Sequence, residues 1–436
     1  MQRLLQLDVR VTLSLLLLLL LLQAPTQLAQ HLNPTTTPSS SNAMGNDGAN
    51  NVAEFSRRLA NFSVNMYGKL IALKPNTNVV FSPFSIQTCA AMARLGAVGE
   101  TADELDRGLG LVSSDVSKIA ESFHQVLAAY EKSSILRIAN KIYVMKDYEL
   151  ADEFNSLLAK QFLSAAENVD FARNAQAAGT INSWVEQQTN SLIKDLVPAS
   201  LLDAQTRLVL INAIHFKGNW VHQFPVHATR NERFHLNEVD GVDVPMMNLK
   251  ERFRYASLPD LDAAALELPY KDSDLSMLIV LPNSKTGLAQ LEEKLRTTPL
   301  AQITDQLHSS QVVVKLPKFK AEFQVELTPA FQQLGMSRLF SDKANFSKML
   351  KSPESLKVSA IIHKAFIDVN ELGTEAAAAT AAVVRKKRSL ISLEQPLQFH
   401  ADHPFIYVLA HEQHLPLFMG AVVRLEAASG GAHDEL

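Results

Sequence analysis

Cysteine is almost missing from this chain: Cys89 is the only one among 436 residues. No internal disulfide can form and no CxxC redox pair exists, so stability has to come from packing. Lying in the apolar run CAAMARL, Cys89 reads as a small buried residue rather than a nucleophile. An excess of one charge is lacking too. The net charge is -4 with both signs interspersed, which leaves no basic field for nucleic acid and excludes it as a partner. Catalytic signatures are absent: there is no GxSxG, HExxH, GxxxxGK[ST] or GxGxxG. His215, His363, His400, His403, His411 and His414 are scattered. The pair His400 and His403 has a mild ligand spacing but abuts a proline and an apolar strand, so it reads as structural, and no metal site or cofactor is expected. Glycine (16) and proline (18) are sparse, and no linker-like stretch divides the chain after residue 53. One large domain is therefore expected, although length alone argues for two or three. Hydrophobic residues make up 47%, enough for a large core.

The two ends carry addresses. Arg3 and Arg10, the run VTLSLLLLLLLL (Val11–Leu22) and the small and polar residues after it follow the order of a secretory signal peptide, and the apolar run is too short for a membrane span. Cleavage after Ala24 or Ala29 fits, giving residues 1–29 as signal. Residues 30–51 are Ser/Thr/Asn/Pro-rich and expected to be disordered. A folded domain over 52–426 is followed by a flexible tail, 427–436, ending in His433-Asp434-Glu435-Leu436. HDEL at a carboxyl end is a retrieval signal for the endoplasmic reticulum, read by a receptor. The expected location is the lumen of that compartment, with partial secretion. Asn61 and Asn345 head two glycosylation sequons.

Val52, Phe55, Leu59, Phe62, Met66 and Leu70 recur at three and four residues, which predicts a helix with one buried face. SDVSKIAESFHQVLAAYEK and AQAAGTINSWVEQQTNSLI fit two more helices. ILRIANKIYVM, RLVLINAIHF, AAALELPY, LSMLIVLPN and VVVKLPKFKAEFQVEL read as strands. FIYVLAHEQHLPLFMGAVVRL reads as a strand pair around a polar turn. Early helices followed mainly by strands, without strand–helix alternation, argue for an α+β fold with antiparallel or mixed sheets.

Five blocks then resemble one family in order and spacing: NVVFSPFSI (Asn78–Ile86), NAIHFKGNW (Asn212–Trp220), LPKF (Leu316–Phe319), HKAFIDVNELGTEAAAAT (His363–Thr380) and HPFIYVLAHEQHLPLFMGAVV (His403–Val423). Together they are similar to serpins over roughly Val52 to Arg424. The resemblance implies three β-sheets, eight or nine helices and an exposed reactive-centre loop at about 371–395. It also implies a monomeric protease inhibitor rather than an enzyme. Ser82, Ser85, Asn212 and His363 match the polar cluster beneath the strands that part in this family. Trp220 matches the aromatic where the loop first enters the sheet. Lys318 and Glu371 match a base and acid that pair near the top of the hinge, a partly exposed pair worth at most about 1 kcal/mol. Leu372 departs from the charged or small residue usual there.

The segment GTEAAAATAAVVRKKRS (Gly373–Ser389) holds the hinge and the bait. Inhibitory serpins insert the cut loop as a new central strand, which turns alternate side chains into the core. Here those are Thr374, Ala376, Ala378 and Thr380, all small and uncharged, with Glu375, Ala377 and Ala379 facing away. Gly373 is read as giving the backbone freedom to fold back before insertion. The plainer reading is a flexible or helical alanine tract. Insertion explains more, since weak strand formers leave the uncut loop uncommitted. Arg385-Lys386-Lys387-Arg388 is what furin-like proprotein convertases select through acidic subsites. The expected reactive bond is Arg388–Ser389. That makes the loop one residue longer than usual; a cut after Lys387 restores the length but loses arginine at the recognition ends. The function expected from the resemblance is suicide inhibition of furin-like convertases. A non-inhibitory chaperone of the endoplasmic reticulum, a general inhibitor of trypsin-like proteases and a mere substrate remain as alternatives. The helix where glycosaminoglycan-activated members collect cations holds only Lys118 and Lys132, so heparin activation is not expected.

Overall fold

A computed structural model describes residues 43–111, 116–352, 354–374, 395–411 and 414–427. The chain divides into Met1–Asp47 and one compact unit, Gly48–Leu436. The signal-like segment, the loop from Glu375 to residue 394 and the HDEL end lie outside the described residues. Among the described residues there are nine α-helices, and none is long and apolar enough to cross a membrane.

The first helix spans Ala43–Leu73, so it starts nine residues before the Val52 at which the apolar periodicity begins and shortens the tail expected over 30–51. Once a packed face has nucleated a helix, each added residue costs little, and no proline lies between Pro38 and Leu73 to stop it. Leu59, Phe62, Met66 and Leu70 are buried along its inner face, as the spacing predicts.

The helix Pro83–Gly96 was not legible as amphipathic because every one of its residues is buried. A helix hydrophobic all round shows no stripe. Its start is local chemistry: Ser82 caps it by accepting from the Ser85 N–H at 3.1 Å, and Pro83 opens the first turn. It packs against the strands Leu136–Met145, Leu208–Phe216 and Leu415–Val422, which belong to two different sheets.

Among the described residues the strands form a nine-stranded and a seven-stranded sheet, where the resemblance implies three. Two of the three are continuous with one another. The 18-residue strand Gly241–Leu258 pairs with Arg230–His235 and His308–Pro317 over most of its length and with Ala263–Pro269 at its end, so it belongs to both. The seven-stranded sheet runs Ala166–Val169, Leu136–Met145, Leu208–Phe216, Val358–Val369, Gly373–Thr374, Gly218–Asn219, and Phe319–Glu326 pairs the other edge of Val358–Val369. The sequence run VVVKLPKFKAEFQVEL thus breaks at Lys318 into strands of two sheets. Pro317, which cannot donate a backbone hydrogen bond, ends the first of them.

Candidate functional site

The middle of the seven-stranded sheet carries a line of polar residues. Asn140 and Asn212 are cross-strand partners, as are Asn212 and His363. All three are buried, together with Ser82 and Ser85 on the helix start beneath them. Ser85 Oγ donates to Asn140 Oδ1 at 3.0 Å, Asn212 Nδ2 donates to Ser85 Oγ at 2.5 Å and to Asn140 Oδ1, and the Ser82 N–H donates to His363 Nε2 at 3.3 Å. Since Nε2 accepts, the proton sits on Nδ1, which donates to Asn212 Oδ1. The cluster read from sequence is therefore brought together. Asn140, which ties it to a third strand, was not singled out; a lone polar residue in ILRIANKIYVM gives no hint of which face it takes.

Burial lowers the His363 pKa from 6.5 to about 3. The folded protein refuses a proton that the unfolded chain accepts near pH 6.5. The stabilisation is therefore complete above that pH and is lost as pH falls toward 3, by up to about 1.4 kcal/mol per pH unit. His363→Gln should flatten the pH dependence of the urea unfolding free energy between about pH 6 and 4. An unchanged slope would mean that His363 does not carry the acid sensitivity.

At the top of this sheet Leu208–Phe216 and Val358–Val369 hydrogen-bond directly in parallel, from the pair Leu208/Val358 to the pair His215/Phe366. Beyond that point they are separated by two residues of the next segment. Gly373 and Thr374 pair antiparallel with Asn219 and Gly218, and Thr374 also pairs with Val369. The first two residues of the hinge read from sequence are thus seated in the sheet. The reason for glycine changes accordingly: a Cβ on Gly373 would lie 2.0 Å from Gly218 O and 2.6 Å from Asn219 Cα. Close approach of two backbones, rather than freedom to fold back, demands glycine here.

Thr374 is fully buried and its Oγ1 lies 2.7 Å from the Tyr270 hydroxyl. The Trp220 and Tyr270 rings stack with centroids 4.4 Å apart, and Trp220 Nε1 donates to Asn370 O at 3.0 Å. The Trp220 N–H donates to Leu372 O at 2.9 Å, so Leu372 contributes its backbone here. Glu371 lies beside them with a side chain only 8% exposed, paired to Lys318 Nζ at 2.9 Å, and is more buried than sequence suggested. Burial pushes its pKa up, but the Lys318 hydrogen bond and charge and the Thr229 hydroxyl outweigh it, and the carboxyl stays ionised below the usual range. Tyr270 and Thr229, distant in sequence, carried no signal of these roles.

The other expected residues divide by location. Glu375, Ala376, Ala377, Ala378, Ala379, Thr380, Arg385, Lys386, Lys387, Arg388 and Ser389 lie outside the described residues. Asn61 and Asn345 are both exposed. His403 uses both ring nitrogens within the protein, on Asp402 Oδ1 and Pro282 O, each at 2.7 Å. Burial pushes the Cys89 thiol up to about 12, which leaves it inert at neutral pH.

The family model described as Serpin (serine protease inhibitor) matches residues 57–425. Alaserpin of Manduca sexta is 39% identical over 366 residues, covering 83% of this chain and 92% of that one. Serine protease inhibitor 42Dd of Drosophila melanogaster is 37% identical over 364 residues, covering 83% and 95%. A solved structure titled Cleaved Serpin 42Da is 68% identical with a TM-score of 0.79, covering 87% of this chain and all of that one. The fold, the polar line through the central sheet and these matches agree: the chain belongs to the serpin family.

Proposed function

We propose that the protein is an inhibitory serpin that traps furin-like, subtilisin-type proprotein convertases after cleavage at Arg388–Ser389 and works in the early secretory pathway. The observation that carries the inhibitory reading is the seat of Gly373 and Thr374 at the head of the parallel pair Leu208–Phe216 and Val358–Val369. A strand entering between two parallel strands and antiparallel to both replaces one parallel ladder by two antiparallel ones, the slightly stronger pairing. Each residue that joins adds about 1 kcal/mol of net hydrogen bonding and buries its methyl group. Once cut, residues 375–380, Glu-Ala-Ala-Ala-Ala-Thr, have nothing bulky or charged on the inward face to oppose that gain. The 68% identical relative was solved in a cleaved state, which supports reading this loop as a cleavage target.

The target follows from Arg385-Lys386-Lys387-Arg388, whose two arginines suit acidic subsites. With HDEL at the end, the chain resembles the endoplasmic-reticulum-retained, furin-inhibiting serpin of flies. An arginine before the cut also suits trypsin-like proteases, which form the second target class. The deciding experiment incubates the mature chain with purified furin: a complex stable on a denaturing gel, with a released fragment beginning at Ser389, is expected. A chain cut without complex sinks the inhibitory reading. Deleting His433–Leu436 should send the protein into the medium with its inhibition in solution unchanged, because the tail follows a Gly-Gly spacer. Equal retention of the truncated chain counts against the address.

A further inference from the structure

The first helix meets the end of the helix Glu100–Gly108 in a cleft of about 230 Å³. Arg57, Arg58, Asn61 and Asn65 line it from the first helix, and Arg107 and Gly110 from the other side. No acid and no histidine is among the lining residues. Arg58, Asn61 and Asn65 follow one another at three and four residues, so they share one helix face. The Arg58 guanidinium is held in place: Nη1 donates to Gly110 O at 3.2 Å and Nη2 to Glu54 Oε1 at 2.5 Å. Glu54 also faces Arg57, at 3.8 Å. Arg107 makes no ion pair among the described residues. Most acids of its own helix are engaged elsewhere. Asp106 takes Arg94 with both oxygens, at 2.6 and 2.8 Å, Glu104 accepts from the N–H groups of Ser337 and Arg338, and Glu100 pairs with Arg338. Asp103, exposed one turn before Arg107, forms no ion pair with it. Three guanidinium groups thus gather around a single carboxylate, an excess of two positive charges. Like charges held this close repel, and an anion that enters relieves the repulsion.

We propose that this cleft binds the phosphate monoester of a small sugar, its phosphate oxygens accepting from the Arg58 and Arg107 guanidinium groups, with Arg57 closing from the rim. Charge selects the phosphate. A phosphate monoester carries close to two negative charges at neutral pH and matches the excess of two positive ones, whereas a carboxylate or a sulfate ester brings only one. The planar guanidinium fork suits phosphate oxygens, to which it donates in pairs. The rest of the lining selects the sugar. Asn65 offers an amide that both donates and accepts, as hydroxyl groups require. Asn61 also lines the cleft but heads a sequon, so the hydroxyl contacts fall to Asn65. The volume lies below the range of drug-sized pockets and admits a phosphate with little more than one ring. A bound ligand bridges two helices of the folded chain and so stabilises it by mass action. The site stands independently of the inhibitory reading above.

The test titrates the whole mature chain, made in bacteria so that Asn61 carries no glycan, with glucose 6-phosphate by calorimetry at neutral pH and constant ionic strength. Saturable binding with a Kd on the order of 0.1–1 mM is expected, together with a higher thermal unfolding midpoint at saturation. Arg107→Gln should weaken binding about tenfold or more and Arg107→Lys regain part of it. Arg107 is exposed, so both variants should keep the wild-type midpoint without ligand. At about pH 5 the phosphate has taken up its second proton, and binding should weaken about tenfold with it. Glucose 6-sulfate should bind about tenfold more weakly than the phosphate at neutral pH; equal binding overturns the choice of a dianion. Inorganic phosphate that binds as tightly as glucose 6-phosphate, with Asn65→Ala changing neither, overturns the sugar and leaves phosphate alone as the ligand. If neither phosphate probe saturates by about 20 mM, or binding is indifferent to Arg107, the site is overturned. Failure of the chain to trap furin or trypsin overturns the inhibitory reading instead and leaves the titration to decide the site.

Discussion

Arg385→Ala is expected to slow inhibition of furin by about a hundredfold or more, while inhibition of trypsin falls by only a small factor. Trypsin-like proteases read mainly the residue before the cut, which this variant leaves as Arg388. A convertase reads the remote arginine as well, through a subsite where the charge pair is desolvated, and the loss of such a pair costs on the order of 2–5 kcal/mol. Arg388→Ala should abolish acylation by both, since the side chain at the cut anchors the substrate in the transition state. The measurement is a pair of second-order inhibition rates for each variant. Equal, modest losses for Arg385→Ala against both proteases would falsify the tetrabasic reading and leave a general bait for cleavage after a basic residue. A fragment beginning at Arg388 instead of Ser389 would move the cut to Lys387 and shorten the loop by one.

Thr374→Arg should convert the protein from inhibitor to substrate. Thr374 is fully buried and hydrogen-bonded to Tyr270, whose ring stacks on Trp220. A guanidinium at that place meets the Tyr270 hydroxyl beside the stacked rings, and a buried charge without a counter-ion costs several kcal/mol. The variant can avoid the cost by leaving the hinge out of the sheet, and then the rest of the loop has no start from which to zip in. The yield of gel-stable protease complex should fall to less than about a tenth of wild type, with cut chain accumulating in its place. Thr374→Ser, which keeps the hydroxyl and removes only a methyl group, should retain most of the complex. The thermal stability of the cut form gives an independent reading: cleavage should raise the wild-type midpoint strongly and that of Thr374→Arg hardly at all. Complex formation by Thr374→Arg at the wild-type yield would sink insertion as the trapping step.

What the chain can do was written largely in stretches where residue type and position along the chain suffice. The proposed hinge, bait and retrieval signal are read from residue types in short stretches, and blocks such as NAIHFKGNW and HPFIYVLAHEQHLPLFMGAVV carry the family resemblance as long runs in a fixed order. The first helix was legible for the same reason, its face repeating every three or four residues from Val52 to Leu70. Elements without a periodic signal were not. The helix Pro83–Gly96 is buried on all sides, and the strand Gly241–Leu258 mixes buried and exposed positions without a regular period while its partners change along its length.

Sequence by itself determined the family resemblance and supplied the residue types on which the proposed target and compartment rest. Only the tertiary structure decided which polar residues meet. Asn140, Asn212 and His363 stand on three strands that sheet register brings together, while Thr229 reaches Glu371 and Tyr270 reaches Thr374 across separate segments of the chain. It also decided why Gly373 is glycine, since the backbone that crowds it, at Gly218 and Asn219, lies more than 150 residues away in the chain. Register and backbone approach are set by burial summed over whole sheets, and no short stretch of sequence contains that sum.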